Sequence, residues 1–506
     1  MLRTVRKITP IISTLVFGVA GVTAVAAVST VMMGCEDENK PEYHIKRLDD
    51  PVLRPASVKR LVQFYEDVMT RAEKNREDPN VKALTDKIVP PLTKAYLDGN
   101  LDDRTRLEVI KLLCDARDIR SKDAWVKALK DYQPNNTEEE VKAAARAISR
   151  SKITEPAAMD AMVAAFIKMQ AGSKKGGEVW MDFKESMVAL SSPSWKPQLL
   201  ERLNRPMEMV GAGDKDNEAK INAYRNEQFW QITAAEILGN IKATEAIKPL
   251  FKCVLNPNKA DVAATAIVAL VKLGKDAMPA MSLAVLGADA EINDYAKGVV
   301  KAAAEAEVAP VRTAALIIGT VGRREGVKAL LDAIGKVKEK DDITRAIIAR
   351  ELAKLPSSPE SLKAFLDVLQ KMPPSVDIPP GITAVPMLTE SLGQYYDSSV
   401  VEMLIKRGAE AKGSDEDKGV IRDAAMSTMI KLMRKEQIAA VEKAINDWNP
   451  KPDDAKLEKA AFKRASAVLN ACGDKLECYL AKLEEPAVQE KDEQFTGIKA
   501  AYMLGI

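Results

Sequence analysis

Two cysteines late in the chain are spaced so that their thiols could react with each other. Cys472 and Cys478 flank the turn-forming residues 473–475, between two segments whose apolar residues recur at helical spacing. In an oxidising compartment such a pair forms a disulfide, because the turn brings the two side chains together. The alternative is a pair of reduced core thiols, one from each helix. We expect the disulfide, because the start of the chain predicts export.

The start of the chain has the charge pattern of an export signal. Arg3, Arg6 and Lys7 lie within the first seven positions, residues 8–34 carry no charge, and Cys35 precedes an acidic run. This order is typical of a secretory signal. The run Val31-Met32-Met33-Gly34-Cys35 resembles the lipobox of bacterial lipoproteins. The resemblance implies cleavage before Cys35 and acyl chains on the amine and thiol of that residue.

Two interpretations of residues 1–34 stay open. They are a signal peptide that is removed, or they remain as a membrane anchor, since the uncharged stretch is long enough to span a bilayer. Both place the rest of the chain outside the cytoplasm, because the positive charges lie on the amino-terminal side. We expect a lipoprotein of the bacterial cell envelope, anchored to a membrane through Cys35 and facing the periplasm or the exterior.

The chain offers few residues for acid–base or nucleophilic catalysis. Its one histidine, His44, lies in a polar segment far from any candidate nucleophile, so a Ser-His-Asp or Cys-His arrangement is not expected. Ser149 and Lys152 have the Ser-x-x-Lys spacing of penicillin-binding proteins, but no Ser-Asp-Asn or Lys-Thr-Gly run follows. We therefore expect no enzyme, no catalytic residue, no metal, no cofactor and no small-molecule substrate.

The elements that would position these residues form a repeat. Residues 234–241 and 314–321 share a pair of alanines, then a large apolar residue, a turn and a second apolar helix. The large residue recurs about eleven times between residues 100 and 506, at intervals of 32 to 48 residues. We call these residues the repeat markers: Leu113, Ile148, Leu190, Leu238, Leu270, Ile318, Leu352, Leu392, Met429, Leu469 and Leu504. An interval near 40 residues is typical of stacked helical hairpins.

The residue pattern of this repeat resembles the HEAT repeat, in which two antiparallel helices flank a short turn. The resemblance covers most of residues 100–506, is strongest at 229–336 and is weaker around Leu190, Leu392 and Met429. It implies an all-α fold, a right-handed α-solenoid of about eleven HEAT-like helical hairpins with an amino-terminal helical cap. Alanines at the start of the pattern would let neighbouring helices approach closely while the marker fills the seam.

The predicted domain organisation has four parts. Residues 1–34 are the signal peptide or membrane anchor, and residues 35–55 are a polar, extended tether. Residues 56–99 are two helices that cap the array, since a terminal repeat must cover its outer face. Residues 100–506 are the HEAT-like repeat array. The final run 499–506 matches only the first half of a repeat, so we expect either a further helix beyond it or docking against residues 475–483.

Composition and loop positions restrict the class of partner. The chain has 75 basic and 73 acidic residues, which argues against a nucleic-acid surface. Long connections are predicted between repeats, at 131–138, 171–183, 205–227, 372–386 and 409–418. In a stack of hairpins they lie along one edge, where inserted loops often bind partners, although loops also tolerate insertion at little energetic cost.

The candidate protein-binding residues are Pro373, Pro374, Pro379, Pro380, Trp180 and Trp230. The prolines would hold an extended loop ready for contact at reduced entropy cost, and tryptophans are common interface anchors, although in such helices they are more often core. The sequence thus favours a membrane-tethered exported scaffold that binds another protein, of unknown identity, through the concave helix face and the loop edge. The alternative is an assembly or cofactor-maturation factor resembling HEAT-like lyases, which needs a cavity lined by acidic residues and tyrosine.

Overall fold

A computed structural model describes residues 37–170, 176–215, 217–379, 381–451, 454–484 and 494–505. Within these ranges the chain is helical apart from one small two-stranded sheet, so the prediction of an all-α fold is confirmed. The predicted signal or anchor, Cys35 and Pro380 lie outside the described residues. In the described ranges no helix is both long and apolar enough to cross a membrane. The chain divides into two compact units, Met1–Pro91 and Leu92–Ile506.

The described part of the first unit is folded from residue 37 onwards. Its helices are α1 (Pro41–Ile45), α2 (Arg54–Arg71) and the first part of α3 (Pro79–Leu97). The structure therefore differs from the extended tether predicted for residues 35–55. Pro41 and Glu42 suit the first turn of a helix, α1 contacts α2, and Glu42 forms an ion pair of 2.7 Å with Lys87. The apolar side chain of Leu48 is buried, which fixes the segment further.

The second unit consists of a long succession of helices. In order they are α4 (Asp103–Ala116), α5 (Lys122–Lys130), α6 (Glu138–Arg150), α7 (Pro156–Lys168), α8 (Gly176–Leu190), α9 (Lys196–Asn204), α10 (Glu218–Asn240), α11 (Ile247–Leu255), α12 (Ala260–Leu273), α13 (Met278–Val285) and α14 (Ala290–Val299). They continue as α15 (Ala303–Val321), α16 (Glu325–Lys336), α17 (Asp342–Ala353), α18 (Pro359–Lys371), α19 (Ala384–Leu392), α20 (Val400–Ala409), α21 (Asp415–Leu432), α22 (Ile438–Trp448), α23 (Lys456–Cys472), α24 (Leu476–Glu484) and α25 (Gln494–Leu504). The strands β1 (Asp377–Ile378) and β2 (Ile382–Thr383) pair between α18 and α19.

Each repeat marker lies on a helix of its own. These marker helices are α4, α6, α8, α10, α12, α15, α17, α19, α21, α23 and α25. Nine markers are buried, and Leu190 and Leu504 are half-buried. Most marker helices are followed by a residue with positive φ, which turns the chain sharply back: Arg117, Lys152, Ser191, Lys242, Gly274, Gly322, Tyr396 and Gly473. The repeated pattern in the sequence is thus a repeated helix and turn.

The marker helices pack in sequence order. Contacts join α4 to α6, α6 to α8, α8 to α10, α10 to α12, α12 to α15, α15 to α17, α17 to α19, α19 to α21, α21 to α23 and α23 to α25. The helices between them also contact one another, α5 with α7, α9 with α11, α13 with α16, α16 with α18, and α20 with α22. The second unit therefore has one continuous row of marker helices and a second, interrupted row of the helices between them. One extra helix, α14, contacts α11 and α15, and it accounts for the long interval between Leu270 and Ile318.

A helix begins inside each of the five predicted long connections, and two of these connections are shortened most. Helix α8 begins within 171–183 and α10 begins within 205–227. Val179, Phe183 and Met187 are all buried, and their spacing of four residues places them on one face of α8. Burial of this face explains why a stretch that is rich in glycine and polar residues at its start is helical.

The glycine of the repeat marks the closest approach of neighbouring marker helices. A Cβ atom added to Gly239 of α10 would lie 2.7 Å from the Cα atom of Ala269 on α12. At the same position in another repeat, a Cβ atom on Gly319 would lie 2.8 Å from the Cβ atom of Glu351 on α17. Both distances are far below an ordinary separation of carbon atoms in van der Waals contact. At these two positions glycine is therefore required by helix packing.

Buried or half-buried cations seal the carboxyl ends of several helices, and we call them carbonyl caps. Lys259 Nζ donates to Leu203 O at 2.7 Å at the end of α9, and Lys499 Nζ donates to Ile430 O, Lys431 O and Met433 O at 3.2, 2.8 and 2.5 Å at the end of α21. Further caps join Arg407 to Met372 O, Arg422 to Gly408 O and Lys459 to Asn449 O. These carbonyls have no partner within their own helix, so the caps satisfy them. In each of these caps the cation lies later in the chain than the helix it caps.

Helix α25 is docked by such a cap. Lys499 is buried, and α25 contacts α21, α23 and α24. The expected docking against residues 475–483 is seen, because α24 covers most of that range.

Candidate functional site

A groove of about 610 Å³ lies along α18. It is lined by α18 and by the residues that precede α18 and follow α19. Leu362 and Leu366 lie one helical turn apart and form an apolar wall, with Tyr395 beside them. Lys363, Asp367 and Asp397 supply charge at its margin. We call this the α18 groove.

The start of α18 is fixed by reciprocal hydrogen bonds. Ser361 N donates to Ser358 Oγ at 3.1 Å, and Ser358 N donates to Ser361 Oγ at 2.9 Å. Pro359 occupies the first turn, where its missing N–H is not needed. Two orphan amides are thus satisfied, and the wall of the groove is held by a rigid helix end.

Tyr395 is a structural part of the groove. Its ring packs against Phe365 with centroids 5.5 Å apart, and its hydroxyl donates to Ser361 O at 3.3 Å. Burial raises the pKa of Tyr395 to about 12. The phenol therefore stays protonated at neutral pH and already has a hydrogen-bond acceptor, so it suits apolar contact better than proton transfer.

The proline-rich loop is a short hairpin beside α18. Ile378 pairs with Ile382, and Gly381 N donates to Ile378 O at 2.8 Å. Ile378 is buried in the core, which pins the hairpin. Pro373 and Pro374 are half-buried and Pro379 is exposed. The described residues of this loop do not line the α18 groove, so the structure does not bring Pro373, Pro374 or Pro379 into that site.

Trp180 and Trp230 lie in the packing between α7, α8, α9 and α10. The ring of Trp180 packs on Phe229 with centroids 4.7 Å apart, and Trp230 Nε1 donates to Phe166 O at 3.0 Å. The guanidinium of Arg202 lies 4.3 Å above the ring of Trp230. Both tryptophans are half-buried. Their contacts correspond to the core alternative considered from the sequence.

Arg202 is a residue that sequence reasoning missed. It is only 6% exposed, burial lowers its pKa, and its Nη1 atom has no hydrogen-bond partner among the described residues. The spacing of Leu199, Arg202 and Leu203 on one face of α9 is the one signal that could have found it.

The cysteines lie as follows. Cys472 ends α23, Cys478 lies in α24, and the two form a disulfide with an S–S distance of 2.03 Å across the turn at Gly473. Cys114 and Cys253 are free and buried. Burial raises the pKa of the Cys253 thiol to about 11, so this thiol stays protonated.

Among the residues considered for catalysis, His44 lies far along the chain from Ser149 and Lys152. His44 Nε2 makes a hydrogen bond of 2.9 Å with Glu38 O near α1. Ser149 is in the last turn of α6, and Lys152 follows that helix with positive φ. Within the described ranges, no three His, Cys, Asp or Glu side chains are grouped so that they could hold a metal ion.

No protein-family profile and no curated protein sequence matches this chain. Among solved structures, the crystal structure of an engineered protein from the Northeast Structural Genomics Consortium is similar to it. The identity is 17%, the match covers 92% of this chain and 98% of that chain, and the TM-score is 0.29. A similarity at that TM-score carries no argument about fold or function.

Proposed function

We propose that residues 100–506 form a right-handed, HEAT-like α-solenoid that serves as a scaffold for another exported protein. The proposal is supported by the separate helix that carries each repeat marker, by the recurring positive-φ turns and by the two rows of helices. Stacked hairpins of this kind present long, continuous surfaces, and binding elongated partners is their usual use.

The α18 groove is the observation that carries the binding proposal. Its volume of about 610 Å³ is within the range of ligand-binding sites, and an apolar wall with a charged margin is the usual arrangement at a protein interface. We infer that an apolar side chain of the partner packs on Leu362 and Leu366. Lys363 and Asp397 would then select the polar residues that flank it.

A cofactor-maturation role is the second candidate, because Asp367, Asp397 and Tyr395 line the same groove. Two contacts weigh against it. The Tyr395 hydroxyl is bonded to Ser361 O, and Asp367 forms an ion pair of 2.8 Å with Lys371. Acid–base chemistry would need at least one of these groups to be released, whereas apolar binding needs no change.

We propose that the scaffold is held at a membrane of the bacterial envelope by lipid on Cys35. The basic start, the uncharged stretch and the lipobox-like run support this location. The disulfide between Cys472 and Cys478 also supports it, because disulfides persist mainly in oxidising compartments.

Site-specific cross-linking in cells tests the groove directly. A photo-cross-linking amino acid is placed at Lys363, and at Lys328 on α16 as the control, since that side chain is exposed and lies outside the groove. We expect one defined adduct from position 363 that is absent from position 328. The adduct should be lost in Leu366→Asp and kept in Leu283→Asp, because Leu283 is 50% exposed on α13, in the same row of helices.

Equal adducts from positions 363 and 328, or an adduct at 363 that survives Leu366→Asp, would overturn the groove as the binding site. The far-ultraviolet circular dichroism of each variant shows whether the fold is kept. Should Asp397→Asn abolish a cofactor-dependent activity of the partner while the adduct remains, the maturation role would replace the scaffold role.

A further inference from the structure

A second, smaller groove lies between α4 and α6. Its volume is about 270 Å³, and we call it the cationic groove because five of its lining residues are basic: Lys111, Arg117, Lys142, Arg146 and Arg150. Ala143 and Ala147 also line it, so small side chains leave room between the charged ones. The groove is in the first hairpins of the second unit, far along the chain from α18.

Three of these cations belong to α6. Lys142, Arg146 and Arg150 follow one another every four residues and so stack on one face of α6. Like charges at this spacing destabilise a helix, whereas opposite charges stabilise it. Several other exposed helices here place opposite charges four residues apart, in ion pairs between Lys127 and Asp131, Lys328 and Asp332, Lys371 and Asp367, and Lys443 and Asp447.

The carboxylates near the groove neutralise only part of its charge. Glu139 is shared between Lys111 at 3.4 Å and Lys142 at 3.0 Å, and Asp182 of α8 is shared between Lys142 at 3.7 Å and Arg146 at 2.6 Å. Partial burial alone would raise the pKa of Glu139, but Lys142 and Lys111 hold it below its ordinary value. Glu139 therefore stays ionised. With Asp115, the groove and its margin hold five cations against three carboxylates.

We propose that the cationic groove binds an extended, carboxylate-rich segment of a protein partner. The side chain of Arg146 is 44% exposed and Arg150 is exposed, so both can meet a ligand without unfolding α6. Guanidinium groups recognise carboxylates through paired hydrogen bonds, which gives them more geometric selectivity than lysine has. Ala143 and Ala147 leave space for the ligand's backbone. This inference rests on the proposed scaffold function only in that the segment belongs to a protein.

Fluorescence anisotropy with the purified full-length protein in detergent tests the proposal, using a fluorescein-labelled oligoglutamate peptide as probe. We expect saturable binding that weakens as salt is raised, and no binding of oligoglutamine. Replacing both arginines, Arg146→Gln with Arg150→Gln, should weaken binding by about tenfold or more. The matched control, Lys328→Gln with Lys338→Gln, removes the same charge from exposed positions and should change affinity by less than about twofold.

The variant Arg146→Lys with Arg150→Lys keeps the charge and loses the planar group, so it should be intermediate. Two results would overturn the proposal. One is equal affinity in wild type and the double Gln variant, with circular dichroism unchanged. The other is displacement of the peptide by inorganic phosphate or an oligothymidylate at lower concentration than by free oligoglutamate, which would make the ligand a phosphate.

The result is separable from that of the α18 groove. Leu366→Asp should leave oligoglutamate binding unchanged, because Leu366 does not line the cationic groove. Failure of cross-linking at Lys363 therefore leaves the carboxylate test intact.

Discussion

Replacing Gly239 by alanine should force two neighbouring marker helices apart. The added Cβ atom would lie 2.7 Å from the Cα atom and 2.8 Å from the Cβ atom of Ala269, whereas carbon atoms that touch are about 3.5–4.0 Å apart. The nearer atom belongs to the backbone, so no side-chain rotation can relieve the overlap. Helices α10 and α12 must therefore separate by roughly 1 Å at this point.

The expected loss of stability follows from two opposing effects. Adding a methyl group to a well-packed helix interface destabilises the folded state by about 1–3 kcal/mol. Alanine in place of glycine stabilises the middle of a helix by about 0.5–1 kcal/mol, and Gly239, in the last turn of α10, gains at most that amount. Gly239→Ala should therefore destabilise the region of α10 and α12 by roughly 1–2 kcal/mol.

Hydrogen exchange read by mass spectrometry measures this locally, since an array of repeats need not unfold in one step. Peptides from α10 and α12 should exchange faster in Gly239→Ala than in wild type. Gly419→Ala is the matched control, because Gly419 lies within α21 and a Cβ atom there meets nothing within 4 Å. That variant should be stabilised by about 0.5 kcal/mol.

Equal or slower exchange in Gly239→Ala would refute the packing argument. A second-site change sharpens the test. Adding Ala269→Gly removes the methyl group that would lie 2.8 Å from the new side chain, but the backbone carbon 2.7 Å away stays in place. The double variant should therefore recover only part of the lost protection.

Three further predictions concern the start, the disulfide and the last described helix. Cys35→Ser should release the protein from membranes or leave its precursor uncleaved; a membrane-bound variant of normal mature size would contradict the lipid anchor. Non-reducing peptide maps of exported protein should show Cys472 linked to Cys478, and Cys478→Ser should lower local stability by about 2 kcal/mol for so short a loop; two freely alkylated thiols would show the bond absent. Burial and the charge of Arg434 lower the pKa of Lys499 from 10.5 to about 7, although its three carbonyl partners oppose this. Between about pH 7 and pH 10, Lys499 is then protonated in the unfolded chain and neutral in the folded chain. The stability of α25 should therefore rise with pH over this range. The variant Lys499→Met should not show this rise.

Local pattern was enough to predict much of the helical architecture. The repeat markers are set by apolar spacing within one helix, and each lies on a separate helix as that spacing requires. The turn after a marker is also local, which is why the hairpin boundary near Gly239 could be expected. The reason for a glycine at position 239 could not be seen in the sequence, because Ala269, which packs against it, lies thirty positions further along the chain.

The sites depend on contacts between distant residues, and these could not be read from spacing. The α18 groove needs Leu362 beside Tyr395, which come from different helices. The packing of α1 on α2 and the ion pair between Glu42 and Lys87 also join residues that are distant in the chain, so the sequence did not predict the helix within residues 35–55. The cationic groove was in part visible, because the spacing of Lys142, Arg146 and Arg150 is local, but the opposing wall on α4 was not.

The carbonyl caps all run in the same direction along the chain of the second unit. Each cap joins a later cation to an earlier helix end, as Lys259 does for α9 and Lys499 does for α21. A nascent chain emerges amino end first, so each of these capped helix ends is synthesised before the residue that caps it. In a growing chain, the helix ends that were made first already have their caps. The carbonyl groups of those made last are still hydrogen-bonded to water. Removing later hairpins exposes unpaired carbonyls, whereas removing earlier ones frees cations that water solvates readily. Deletions from the amino end and from the carboxyl end are therefore not equivalent. Nested deletions from the two ends should leave fragments of unequal solubility.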